Sequence, residues 1–111
     1  MDDTSRISGN LPANVYVPAH PDPDPGRSEP VLGFEIRVLS DGTRVLPAFS
    51  TVDQLAMALG PAQPWALLPL RAARALMGVA GVDSVLLDPI VADGAWRWSE
   101  QDLAALVRAV R

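Results

Sequence analysis

Between Phe34 and Gly60 the apolar positions alternate and then change period. Apolar residues stand at Phe34, Ile36 and Val38 before the dipeptide Asp41-Gly42, and at Val45 and Phe49 after it. A period of two on both sides of a turn dipeptide predicts a β-hairpin, and a two-residue turn sets Phe34 opposite Phe49 and Val38 opposite Val45. The other face then carries Glu35, Arg37, Leu39, Arg44 and Leu46, a mixture that predicts a partly wet or partly covered surface. Pro47 falls where this register needs a ladder N–H, so the pairing should end early or bulge there. From Val52 the period becomes helical, with Val52, Leu55, Ala56 and Leu59 on one stripe. Two overlapping capping boxes, Ser50-x-x-Asp53 and Thr51-x-x-Gln54, start this helix, and Gly60-Pro61 ends it.

The flanking segments extend the pattern. Residues 1–14 are polar and without period, which predicts a flexible N-terminal arm. Val15-Tyr16-Val17-Pro18 reads as a short strand stopped by its proline, and residues 19–30, with Pro21, Pro23, Pro25, Pro30, Asp22 and Asp24, read as a Pro/Asp-rich loop inside the domain. Pro64 to Pro69 brackets a short apolar run expected to be a buried strand. Pro69 then opens a second helix, with Leu70, Ala73, Leu76 and Met77 inward and Arg71 and Arg74 outward. Ser84 to Asp88 reads as a further strand stopped by Pro89. Asp93-Gly94 predicts an edge ribbon that sets Trp96 and Trp98 on one side. Ser99-x-x-Asp102 caps a last helix with the stripe Leu103, Leu106, Val107 and Val110. The expectation is an α+β (mixed α/β) fold over residues 15–111: one domain with a mixed sheet of about five strands and about three helices. Its order is strand, hairpin, helix, strand, helix, strand, short ribbon, helix.

Composition narrows the function classes. A chain of 111 residues is large enough to bury a core without staples, and it has no cysteine, which removes disulfides and thiolate chemistry. No apolar run approaches the roughly 20 residues that span a bilayer, which predicts a cytoplasmic protein with no membrane partner. A net charge of −4 argues against a phosphate backbone as partner, so no nucleic acid is expected.

Tyr16-Val17-Pro18, the step Val45-Leu46-Pro47-Ala48-Phe49-Ser50-Thr51 into a helix, and Gly81-Val82-Asp83-Ser84-Val85-Leu86-Leu87-Asp88-Pro89 resemble the N-terminal domain of the SseB family. That family, named for enhanced serine sensitivity and common in actinobacteria, typically shows a "vP" strand, an "lPvFTs" step and a "Gv..l.iNP" strand. The resemblance covers roughly Val15 to Pro89. Here Ala48 and Ser50 replace the commoner residues of the step, and Asp88 stands where asparagine is frequent. The resemblance implies a small α/β domain, with no established activity and no catalytic residue to carry over.

Chemistry is sparse. The single histidine, His20, falls in the proline-rich loop, where nothing in the sequence orients it for catalysis. No catalytic constellation, cofactor motif or metal spacing is present, so neither a catalytic residue, a cofactor nor a metal is expected. The expected function is a non-enzymatic protein-interaction or assembly module, its partner another protein or a second copy in a homodimer. Trp96 and Trp98 form the expected interface, with Arg71 and Arg74 as a second contact surface. The alternative is a small-anion or metabolite sensor, or a weak enzyme, using Arg44, Ser50 and Thr51 at the start of the first helix.

Overall fold

The structure is a computed structural model, and it describes residues 11–22, 31–91 and 95–109. Among the described residues six strands form two three-stranded sheets, with three helices around them. In chain order the strands are β1 (Asn14–Asp22), β2 (Val31–Phe34), β3 (Arg37–Val38), β4 (Arg44–Ala48), β5 (Trp65–Pro69) and β6 (Ser84–Leu87). The helices are α1 (Val52–Leu59), α2 (Leu70–Val79) and α3 (Glu100–Ala109). The fold is thus a single mixed α+β domain, but its strands divide between an antiparallel sheet, β2-β1-β5, and a mixed sheet, β3-β4-β6. One isolated bridge joins them: Tyr16 and Phe49 exchange both backbone hydrogen bonds, each 2.8 Å.

β1 is longer than the sequence suggests. It runs through Pro18 and Pro21 to Asp22, taking Ala19–Asp22 out of the expected loop and Asn14 out of the expected arm. The prolines are tolerated because of ladder parity. Ala19 donates to Pro64 O, so the odd residues of β1 turn their polar groups to β5 and the even ones to β2. Pro21 lies beyond the end of β5, and at Pro18 only the carbonyl is used, by Glu35 N at 3.0 Å. Residues 1–10 of the expected arm, 23–30 of the loop and the turn Asp93-Gly94 lie outside the described residues. No strand is formed over 95–99, so the described part of the expected ribbon is irregular.

The hairpin register is one residue away from the expectation. Arg37 pairs with Val45 and Val38 with Arg44, while Phe34 pairs with Ala19 and not with Phe49. The turn causes the slip, because Leu39 N bonds Thr43 O and leaves a three-residue loop closed by Gly42 at φ 88°. Asp41 also reaches across it to Thr43 N at 2.9 Å. Bonds from the Thr43 side chain and backbone hold the Asp41 carboxyl below its ordinary range. The β3–β4 ladder stops after two pairs, before Pro47.

Both sheets press their inner faces on one core. Val15 and Val17 of β1, Leu46 and Ala48 of β4, Leu70, Ala73 and Met77 of α2, and Val82 are all buried there. Leu46, expected on the mixed face, is instead fully buried, because it shares with Ala48 the face of β4 that packs into this core. Leu76, expected inward, is exposed at the rim of α2. A second cluster packs Phe49 against Leu55 and Leu59 of α1 and Tyr16 of β1. The crossover from β4 to its parallel neighbour β6 passes through β5, which joins the other sheet as an edge strand. Trp65 and Leu67, expected to be buried, are therefore 46% and 50% exposed. α3 begins with the expected reciprocal cap, Ser99 N to Asp102 Oδ2 and Asp102 N to Ser99 Oγ, and buries none of its residues.

Candidate functional site

The expected anion site does not assemble. Arg44 opens β4 and Ser50-Thr51 follows its end, so they stand about 20 Å apart at the strand rise. Arg44 serves the other end of the β4–β6 pair, where its N–H bonds Asp83 Oδ2 at 2.7 Å and its guanidinium reaches Gly81 O at 3.3 Å. At the helix start, Thr51 Oγ1 caps Gln54 N at 3.1 Å. Ser50 gives its N–H to Asp88 Oδ1 at 2.9 Å and its hydroxyl lies 3.0 Å from Asp88 Oδ2. Asp88 reaches this position from the end of β6 with φ 47°, a left-handed conformation that Asp and Asn tolerate better than most residues. The protein's own carboxylate thus sits on the Ser50 groups that the anion reading reserved for a ligand.

Arg71 and Arg74 are exposed on α2, beside Pro12, Ala13 and Asn14. The helix packs against the inner side of β1, through Val15 and Val17. The tryptophans lie on the other side, so the two expected contact surfaces do not form one patch.

What the structure does assemble is centred on Glu35. One oxygen of its carboxylate, Oε2, receives Gln63 Nε2 at 3.0 Å and Trp98 Nε1 at 3.0 Å, and lies 2.9 Å from His20 Nδ1. Gln63 is buried and donates also to Pro64 O at 2.7 Å. His20 is therefore not an unoriented loop residue, since it stands in β1 with its ring tilted against Trp98, centroids 5.2 Å apart. An imidazole held by a carboxylate is half of an acid–base relay. The groups gathered here, an amide, an indole and a second aromatic ring, supply no nucleophile. They do immobilise an aromatic surface.

That surface is the outer face of the antiparallel sheet. Ladder parity places Tyr16, Pro18 and His20 of β1 on that side, where Pro18 is fully buried and Tyr16 packs on the Phe49 cluster, with Leu67 and Trp65 of β5 opposite Tyr16 and Pro18. Tyr16 and Trp65 meet edge to face at 5.1 Å, and Trp96 meets Trp98 in the same way at 5.8 Å. The two indoles are thus together as expected. Trp98 is half-buried and tied to Glu35, and Trp96 is 61% exposed. Between them Arg97 turns away, donating to Ala58 O in the last turn of α1 at 3.0 Å, with its stem against Gly60. A cation at that helix end meets unsatisfied carbonyls and the negative end of the dipole. Hence the segment carrying the indoles is pinned twice, once by Arg97 and once by Trp98.

Sequence reasoning missed Glu35, His20 and Gln63. Partners 15, 28 and 63 positions apart on one oxygen leave no local spacing to detect. The one available hint was Glu35 itself, an acid between Phe34 and Ile36, which falls in the link between β2 and β3.

Residues 9–94 match the family model described as the SseB protein N-terminal domain, and the chain belongs to that family. No curated protein and no solved structure matches it. Among the described residues no helix is long and apolar enough to cross a membrane, and no cluster of His, Asp or Glu has the makings of a metal site.

Proposed function

We propose that this domain is a non-enzymatic, cytoplasmic protein-binding module whose contact surface is the aromatic face built from Tyr16, Trp65, Trp98 and Trp96. The observation that carries this reading is Trp96, an indole left 61% exposed while resting on Trp98, which Glu35 holds by its N–H. A large side chain fixed before binding loses little rotamer freedom when a partner covers it, which is the economy of an interface anchor. The partner surface that suits it is apolar and uncharged, belonging to another protein. Peptide display against the full chain tests this. Enriched apolar sequences should bind the wild type and lose binding to Trp96→Ser, whose near-UV circular dichroism, apart from the lost indole, stays native. Equal binding to both proteins would remove the surface from consideration.

The small-anion reading keeps one discriminating measurement. Phosphate would have to displace Asp88 from Ser50, so it should leave the unfolding temperature of the wild type unchanged. A concentration-dependent rise would favour the sensor over the binding module.

A further inference from the structure

The edge of β5 has a hydrogen-bonding pattern that selects its own partner. Ala19 N donates to Pro64 O and Leu70 N to Ala13 O, which fixes the parity of the β1–β5 ladder. Ala66 and Leu68 turn their N–H and C=O groups to β1, and Trp65 and Leu67 turn theirs away. Among the described residues no strand pairs with that outward side, because β5 is the end strand of its sheet. Natural edges are blunted by short length, proline or charge; here Pro64 and Pro69 confine the open edge to residues 65–68, and no charge stands on it. From Gln63 to Leu70 the sequence is Gln-Pro-Trp-Ala-Leu-Leu-Pro-Leu, without an ionisable group. A second copy thus meets no like charge there despite the net −4 that both chains carry.

We infer that a second copy of this chain adds to β5 across a two-fold axis, antiparallel, with Ala66 of each copy facing the other at the axis. In this register Trp65 of one copy lies opposite Leu67 of the other, and each such pair exchanges both of its backbone hydrogen bonds. Every outward N–H and C=O of Trp65 and Leu67 is then paired. The neighbouring two-fold registers do worse. Centring on Leu67 sets Trp65 opposite Pro69, which has no N–H to give. Centring on Trp65 sets Leu67 opposite Gln63, whose N–H is already bonded to Gly60 O at 3.3 Å.

The side chains agree with the backbone. Trp65 of each copy comes beside Leu67 of the other on the outer face, covering residues now 46% and 50% exposed. The small Ala66 allows the close approach of a non-hydrogen-bonded pair, about 4.5 Å between Cα atoms. Pro64 and Pro69 limit the ladder to this short stretch, and an isologous contact of this kind closes on itself. The two antiparallel sheets become one continuous sheet. The contact stands on the strand edge and uses Trp65 of the aromatic face but not Trp96.

Sedimentation velocity of the full chain from micromolar to millimolar concentration tests it, together with cysteine cross-linking. The wild type should show a reversible monomer–dimer equilibrium, and Leu67→Lys should lose the dimer while keeping its native circular dichroism. Trp96→Ser should keep it. The chain has no cysteine, so Ala66→Cys provides a register probe, with Val79→Cys, on the exposed surface of α2, as the collision control. The inference expects Ala66→Cys to form a disulfide dimer under mild oxidation much faster than Val79→Cys. A wild type monomeric at millimolar concentration, with equal cross-linking of the two cysteine variants, overturns it. A dimer that survives Leu67→Lys but is lost in Trp96→Ser overturns it as well, and moves the second copy onto the aromatic face.

Discussion

β4 and β5 are both five-residue strands rich in apolar residues, Arg-Val-Leu-Pro-Ala and Trp-Ala-Leu-Leu-Pro, each containing a proline, yet they meet opposite fates. From Val45 to Ala48 β4 is buried at every residue, and Phe49 beyond it is also buried. β5 alternates between exposed and half-buried positions along its whole length. The difference is position in the sheet. β4 has β3 and β6 as neighbours and faces the main core through Leu46 and Ala48, whereas β5 has β1 on one side only. Hydrophobicity therefore marks both strands as sheet, and it is the number of neighbours that decides how much of each is withdrawn from water.

The sharpest way to break this comparison is at the end of β4. Phe49→Ala empties the site between β1 and α1, next to the one bridge that joins the sheets, and should cost about 3–5 kcal/mol in denaturant unfolding. A loss under about 1 kcal/mol would mean that the second cluster does not hold the sheets together. Leu46→Ala and Leu67→Ala then set the two strands against each other with the same chemical change. Leu46, at 0% exposure, should lose about 2–5 kcal/mol. Leu67, at 50% exposure, should lose less than half as much at dilutions where the chain is monomeric, and equal losses there would show that β5 is covered within the chain itself.

Glu35→Ala tests how the outer face of β1 is held. It leaves the buried Gln63 amide, the Trp98 indole N–H and His20 without their common acceptor, at an expected cost of about 1–3 kcal/mol. The tryptophan fluorescence should shift to the red as Trp98 is released. Unchanged fluorescence would show that Arg97 alone pins the segment. The smallest effect belongs to the turn, at Asp41. Its carboxyl is held low in the folded chain, so it adds stability above its unfolded value and loses it as the pH falls through the folded one. The group is fully exposed, and Asp41→Asn should differ from the wild type only by a slightly shallower fall in stability on acidification, read by thermal unfolding between neutral and acid pH. An identical profile would remove Asp41 from the turn's energetics.

The local devices were legible because their information is local. Thr51 caps α1, Ser99 and Asp102 cap α3, and Gly60 ends α1, each within four residues of its partner. The exposed indole was legible too, since a small domain has room for few large side chains. The Glu35 cluster was not, for its members come from four separate segments. Nor was the use of Asp88, whose carboxylate reaches Ser50 only because β6 lies parallel to β4.

By itself the sequence determined the three helices and most of the strands in their order, through period, caps and turn residues, but not the split of the first hairpin strand into β2 and β3, and it determined the family by short motifs along a single stretch. The tertiary structure alone decided the registers and the partners. A three-residue loop in place of a two-residue turn moved β3 by one position, and ladder parity let β1 pass through two prolines. The same parity turned Trp65 and Leu67 outward on an unpaired edge. The physical reason is common to all three. A strand's backbone asks only for a neighbour, and which neighbour it takes depends on the loops that deliver the chain and on the surface each pairing buries.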